Sequence, residues 1–411
     1  MKSLATVLLL ICASNATAQI KAVSPKNLPS SANNLNSPGI LADGYLYISG
    51  QGPRRTDGTL PPDTPAQIRQ ALDNVKAVVE AAGLTLDHVV YLQVYLEDIR
   101  ASGQVDKVFA EYFSNSSPAR AILGVARVPE PPLEITAVAV QDLTGLKPVY
   151  VPGENFEKGY APAVLTHDRL FVSAAQGKDP ATGKIPDDPG AQVNFALDRL
   201  KSVVESAGLK LANMVFVNPY LTHEIPMHTM NVEYARRFEF GNTPGRATIQ
   251  VSSLPGGVRI AYTGVAVRDL SRRHAIRPKN MPPSPTASPC VFAGDTLYCS
   301  AKSGFIPGPY DGVYAATTSS QTHQTMRNQL DNLEEAGMRF DQVVFTTVYL
   351  DDLSDAPQFE RVYRKYFAAI PPARVNVQQI APASDRKPNE DEQYPDLEQM
   401  SLIAVRTQPK Q

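Results

Sequence analysis

Arg120, Arg246 and Arg374 stand in three matching tripeptides: Pro118-Ala119-Arg120, Pro244-Gly245-Arg246 and Pro372-Ala373-Arg374. A guanidinium can grip a carboxylate through two parallel hydrogen bonds, and it stays charged at any working pH. A lone arginine opening a strand more often serves a surface ion pair; recurrence at one position in three segments favours a binding role. Glu134 follows Arg120 by 14 residues, in Glu134-Ile135-Thr136. The six histidines (His88, His167, His223, His228, His274 and His323) form no repeated pair at metal-ligand spacing, so no metal site is expected. No Ser-His-Asp or Cys-His nucleophile pattern is recognisable. The Gly- and Pro-rich stretch 304–312 lacks the Lys-Ser/Thr signature of a phosphate loop and reads as a connection.

The frame that would hold these residues is itself repeated. Ala82-Gly83-Leu84 runs without a gap to Val94-Tyr95-Leu96, Ala207-Gly208-Leu209 to Pro219-Tyr220-Leu221, and Ala336-Gly337-Met338 to Val348-Tyr349-Leu350. Ser49, Ser173 and Ser300 recur with the same period. Each copy is about 125–130 residues, a whole domain and far longer than a solenoid unit. The copies are assigned to 19–145, 146–270 and 271–411.

Within the first copy, apolar runs flank Asp43-Gly44, a dipeptide suited to a type I′ hairpin turn. Thr64-Pro65 offers a helix start, and Ile68, Leu72, Val75, Val79 and Ala82 recur at helical spacing until Gly83. Val89–Leu96 reads as a strand, Val105, Phe109, Tyr112 and Phe113 as a second helix, and 121–128 and 133–140 as closing strands. The order is ββαβαββ, an α+β unit with helices packed on one sheet face. Asp188-Pro189 starts the equivalent helix of the second copy. Pro219 falls inside its middle strand, where the missing N–H calls for an edge or a bulge. The third copy carries an extra polar stretch, 384–396, expected to be a surface loop.

Composition excludes several classes. With 43% hydrophobic residues the chain can build ordinary cores, and 39 Lys+Arg against 41 Asp+Glu leave no basic excess for nucleic acid. Met1-Lys2, the apolar run Leu4–Ala13 and Ala16-Thr17-Ala18 have the pattern of a secretory signal over 1–18, too short to span a bilayer. A secreted or periplasmic location, with no membrane association after removal of the signal, is expected. Of the three cysteines, Cys12 lies in that segment. Counting outward from the Gly294-Asp295 turn sets Cys290 opposite Cys299, where a disulfide and two reduced, half-buried thiols both fit.

In the first copy Ser49-Gly50-Gln51, the helix from Gln70-Ala71-Leu72-Asp73-Asn74 to Gly83, Val94-Tyr95-Leu96-Glu97-Asp98, Pro118-Ala119-Arg120 and Glu134-Ile135-Thr136-Ala137-Val138-Ala139 occur in an order and spacing that resembles the RidA/YjgF family of enamine/imine deaminases, whose older relatives were labelled L-PSP endoribonucleases. The resemblance extends over essentially the whole chain after residue 18, three times. It implies a chorismate-mutase-like fold and, because members typically form trimers with clefts between subunits, a monomer whose three copies close an intramolecular pseudo-trimer. It implies hydrolysis of 2-imino or 2-enamino acids to 2-oxo acids and ammonia without metal or organic cofactor. The family's carboxylate-gripping arginine falls on Arg120, Arg246 and Arg374, and its acid/base glutamate on Glu134, Ala261 and Gln399. Its cleft tyrosine falls on Asn36, Tyr160 and Ala287, its backbone-contact glycine on Gly50, and a second-helix polar position on Asp106, Asn231 and Glu360. The expected site joins Arg120, Glu134 and Gly50 with Tyr160 leaning over, while Arg246, Arg374 and Gln399 belong to lesser clefts. The resemblance also supports a second reading, a non-catalytic protein that binds small carboxylates.

Overall fold

The computed structural model describes residues 19–26, 35–154, 158–279, 281–308, 312–367, 369–380, 386–390 and 393–407. The expected signal segment 1–18 lies outside them. The first repeat comprises β1 (Lys21–Val23), β2 (Gly39–Ala42), β3 (Tyr45–Gln51), α1 (Thr64–Ala81), β4 (Val89–Leu96), α2 (Ser102–Tyr112), β5 (Ala119–Gly124) and β6 (Leu133–Val140). The second comprises β7 (Lys147–Val149), β8 (Ala163–Leu165), β9 (Arg169–Gln176), α3 (Pro189–Ser206), β10 (Met214–Leu221), α4 (Met227–Ala235), β11 (Gly245–Arg246), β12 (Ile249–Gln250) and β13 (Ile260–Val267). The third comprises β14 (Arg273–Ile276), β15 (Cys290–Ala293), β16 (Thr296–Ser303), α5 (Thr318–Glu335), β17 (Val343–Leu350), α6 (Ala356–Tyr363), β18 (Ala373–Gln378) and β19 (Glu398–Val405). Each repeat is therefore α+β, with one strand added before the ββαβαββ order and, in the second repeat, the edge strand split into β11 and β12. The added β1, β7 and β14 pair antiparallel with the outer strand of each hairpin.

In the first sheet the order is β1-β2-β3-β6-β4-β5, so β5 and its counterparts lie at an edge. The hairpin turn has Asp43 at φ 49° and Gly44 at φ 74°, the positive pair that type I′ requires. Helix α1 starts one residue earlier than its sequence implies: Asp63, extended at the cap, accepts a 2.9 Å bond from the Ala66 amide, and its carboxylate takes the capping role from Thr64. Pro219 is neither at an edge nor at a bulge. It keeps its place in β10 opposite Tyr262 of β13, and the missing N–H is met on the other side, where the parallel partner is broken into β11 and β12.

Helices α1 and α3 bury Leu72, Val75 and Val79, and Leu197, Leu200 and Val204, against their sheets. Burying each such side chain contributes about 1.5–3 kcal/mol. Helix α5 forgoes much of this, because its buried face carries Thr318, Gln321, Thr322, Thr325, Gln329 and Asn332. Hydrogen bonds offset the loss: Gln329 Nε2 donates to the Ser300 and Met400 carbonyls at 3.1 and 2.7 Å, and the Thr325 hydroxyl donates to the Glu398 carboxylate. Burial pushes Glu398 up to about 8 against the Thr325 bond that favours its charge, and nearby Asp396 pushes the same way as burial.

The sheet faces turned away from the helices meet one another. Three equivalent backbone contacts tie the repeats in sequence: Ala161 N to Pro118 O (3.4 Å), Ser288 N to Pro244 O (3.2 Å) and Ser37 N to Pro372 O (3.2 Å). They link the first repeat to the second, the second to the third, and the third to the first. Between the three sheets lies a cavity of about 110 Å³ lined by the equivalent residues Tyr95, Tyr220 and Tyr349. At one end of this contact region the fully buried Arg169 donates to Asp43 Oδ2 (2.7 Å) and Thr296 Oγ1 (2.8 Å), with its guanidinium 4.3 Å from the Tyr45 ring centroid.

Two stability measurements follow. Arg169→Met takes the guanidinium from both Asp43 and Asp168, leaving Asp43 its bond from Thr296, and should cost about 3–5 kcal/mol in denaturant unfolding, with Asp43→Asn and Asp168→Asn in the same chain restoring part of it; a loss below about 1 kcal/mol would show that these pairs are not a principal tie. For Glu398, the native state keeps its proton up to about pH 8 while the unfolded chain releases it near 4.5, so the native state binds more protons across that window and stability falls as pH rises through it. Glu398→Gln should accordingly raise Tm at pH 8 more than at pH 5; equal shifts at both pH values would contradict the assignment.

Candidate active site

Parallel pairing of the strand before the second helix with the edge strand sets Arg120 opposite Leu92, Arg246 opposite Val217 and Arg374 opposite Thr346, one register position repeated three times. Each arginine is then pinned to the next repeat. Its backbone N–H donates at 2.8 Å to a serine hydroxyl, Arg120 to Ser173, Arg246 to Ser300 and Arg374 to Ser49. Those serines donate at 2.6 Å to the carbonyls of Ala161, Ser288 and Ser37. Their recurrence was visible in the sequence; their work as staples between repeats was not.

The three guanidiniums differ in what holds them. Arg120 Nη2 meets Asp106 at 2.5 Å, Arg246 Nη1 meets the neutral Asn231 at 2.7 Å, and Arg374 is clamped by both oxygens of Glu360 at 3.1 and 2.5 Å. Aromatic faces lie beside them: Tyr160 at 5.0 Å for Arg120, Tyr234 at 5.2 Å for Arg246 and Tyr363 at 4.7 Å for Arg374. Arg120 and Arg374 are 8% and 6% exposed. With no carboxylate beside it, Arg246 is drawn below its ordinary pKa by burial.

Glu134 does not join Arg120. Strand β5 lies at the sheet edge facing the second repeat, whereas Glu134 is on β6, two strands away, on the side of the first repeat that meets the third. Two strand spacings are about 10 Å, enough to put the two residues in different clefts. The structure brings together Arg120 and Tyr160, and separately Arg374, Gly50 and Glu134. A Cβ on Gly50 would overlap Glu134 Oε2 and stand 3.2 Å from Val375 Cγ2 of the third repeat. Glu134 is 5% exposed. Its carboxyl is pushed up to about 8 by burial first and by the Glu130 charge second, against the Glu130 amide and the Arg374 guanidinium.

The register places Ala261 opposite Tyr220 and Gln399 opposite Tyr349, where Glu134 stands opposite Tyr95. Gln399 Nε2 reaches across its cleft to the Thr248 carbonyl at 3.4 Å. In that cleft burial also lowers the pKa of Lys302. The cleft between the first two repeats opens into a cavity of about 740 Å³ lined by Arg120, Tyr160, Phe195, Leu254 and Ala261. Cys290 and Cys299 form a disulfide across their hairpin, with Cα atoms 4.0 Å apart. Among the described residues no group of three or more His, Cys, Asp or Glu side chains is placed to hold a metal, and no helix is long and apolar enough to cross a membrane.

The profile of the endoribonuclease L-PSP family matches residues 25–141, 154–267 and 280–384. The chain belongs to this family, also known as RidA/YjgF, and carries it as three tandem copies. A RutC family protein of Pyrococcus horikoshii is 40% identical over 109 residues, 26% of this chain and 86% of that one. Another from Saccharolobus solfataricus is 41% identical over 106 residues, 25% of this chain and 84% of that one. Among solved structures, the YjgF gene product of E. coli is 35% identical, covering 30% of this chain and 99% of its own, with a TM-score of 0.29.

Gly50→Ala tests the site's geometry without chemistry. The added methyl must displace the Glu134 carboxylate from its place over the Gly50 backbone, so the Glu134 pKa, followed by NMR titration of its carboxyl carbon, should move by a unit or more. An unchanged titration would mean that Gly50 does not set that geometry.

Proposed function

We propose that the chain is an exported enamine/imine deaminase whose working cleft joins the third repeat to the first, with the three repeats acting as a covalent pseudo-trimer. The observation that carries this reading is the placement of Glu134, a buried carboxyl pushed up to about 8, beside the clamped guanidinium of Arg374. Nη1 and Nη2 of Arg374 each bond Glu360, which fixes the direction of the guanidinium that this reading assigns to the substrate carboxylate. Ionised Glu134 takes a proton from water as its oxygen attacks the imine carbon. The resulting acid returns that proton to the nitrogen, giving the neutral carbinolamine; the carboxylate then takes the hydroxyl proton and passes it to the nitrogen as the C–N bond breaks, so that ammonia and the 2-oxo acid depart. A group that gives and takes one proton in turn works best with a pKa near the operating pH, and burial supplies it here. An enamine substrate first takes a proton at its β-carbon to become the imine.

Arg120 and Arg246 face Ala261 and Gln399, an apolar methyl and an amide that does not titrate, so neither of their clefts has a proton acceptor at this position. The test is imine decay, followed by semicarbazone trapping with an amino-acid oxidase as the imine source. Glu134→Gln should lower kcat by at least 100-fold, Arg374→Met should raise KM strongly, and Arg120→Met and Arg246→Met should change turnover less than about twofold. Wild-type turnover in Glu134→Gln would reject the catalytic assignment and favour the carboxylate-binding reading.

A further inference from the structure

Asn376 stands two residues beyond Arg374 on β18, so alternation along the strand sets both side chains on one face. Its counterparts, two residues beyond Arg120 and Arg246, are Ile122 and Thr248. Ile122 lines the cavity of about 740 Å³ together with Arg120. Thr248 is the residue whose carbonyl takes the bond from Gln399 Nε2 across the contact of the second and third repeats. This strand position therefore borders the cleft, and it carries an alkyl group, a hydroxyl and an amide in turn.

Two of the three leave a polar atom unpaired. Asn376 Oδ1 and Thr248 Oγ1 are buried without a hydrogen-bond partner among the described residues. Buried polar atoms almost always find partners, and two exceptions at one equivalent position, each two residues beyond a cleft arginine, call for a partner that the chain does not supply. An acceptor such as Oδ1 is matched by a donor. A ligand side chain with a hydroxyl or an amide N–H makes the bond, whereas an alkyl one leaves Oδ1 buried and unpaired, which is how a polar site rejects an apolar isostere. A carboxylate side chain brings no donor either, and it meets the charge of Glu130, close enough to push Glu134 up.

We infer that Asn376 is a specificity-determining residue of the cleft between the third and first repeats, selecting 2-imino acids whose side chain carries a hydroxyl or amide donor. The inference rests on the reading of that cleft as the deaminase site and names its substrate class.

Unreactive isosteres keep the two apart, because their binding needs no turnover. In calorimetric titration of the full chain after residue 18, succinamate, with an amide at its far end, should bind at least tenfold more tightly than 4-methylpentanoate of the same shape, and than succinate, whose far end has no donor at pH 8. Asn376→Ile, which installs the first repeat's residue, should bring succinamate to within twofold of 4-methylpentanoate. Should that variant fail to fold, Asn376→Ala should do the same without added bulk. In the imine assay, Asn376→Ile should lower kcat/KM at least tenfold for the imine of glutamine and less than twofold for that of norleucine. Equal binding of succinamate and 4-methylpentanoate by the unaltered chain would overturn the inference, as would a preference that survives Asn376→Ile or is lost only in Thr248→Val. A succinamate preference that depends on Asn376 stands even where Glu134→Gln keeps wild-type turnover, an outcome that would reject the proton transfer alone.

Discussion

The arrangement of the repeats depends on a buried charge that only a covalently linked trio can use. Arg169 stands opposite Val267 in its sheet, Tyr45 opposite Val140, and Thr296 opposite Val405, so the three occupy one equivalent position, and the structure brings them together. Three identical chains would bring three identical side chains to that point. Three arginines there would repel one another without water to screen them, and three tyrosines would crowd. Here one arginine stacks on one tyrosine, donates to one threonine and pairs with Asp43 of the first repeat. The contact therefore distinguishes the repeats as well as joining them, and fixes which surface of each faces which neighbour.

The same freedom from identity reaches the clefts. The position that carries the arginine is held in all three repeats by its backbone amide, stapled to the next serine, a structural duty that any residue but proline could meet. The carboxylate partner has no such duty, and it varies: Asp106, Asn231, Glu360 around the guanidinium and Glu134, Ala261, Gln399 across the cleft. Glu360 orients Arg374 through two bonds, which leaves fewer donors for a ligand but makes their direction definite. Asp106 bonds Nη2 of Arg120 and leaves Nη1 without a hydrogen-bond partner among the described residues, beside a cavity of about 740 Å³.

Much of this was legible in the residues. Threefold spacing, the hairpin dipeptide, the helical periodicity of Ile68–Val79 and the equivalence of Arg120, Arg246 and Arg374 follow from local rules of turn, period and recurrence, and register in the sheets agrees with them. Helix α5 was harder, since its buried face of Thr and Gln gives no apolar stripe and is tied down by long-range bonds to Ser300, Met400 and Glu398. The extra edge strands were hidden because three residues such as Lys21–Val23 carry too little pattern, and they pair only once the hairpin exists. Pro219 misled because a missing N–H constrains one side of a strand alone, and its other partner was the one that broke.

The misplaced association of Arg120 with Glu134 and Gly50 shows where sequence logic ends. Proximity along the chain and a shared motif describe how a domain is built; a cleft between domains is built from opposite faces of two copies, and strand order decides which face each residue takes. With β5 at the edge and β6 inside, the arginine of a repeat always looks forward and its glutamate position always looks back. Any pair competent for proton transfer beside a carboxylate grip must then come from different repeats. At this position the contact of the third repeat with the first sets a glutamate, Glu134, near an arginine, Arg374, whereas the other two contacts have Ala261 and Gln399 in its place.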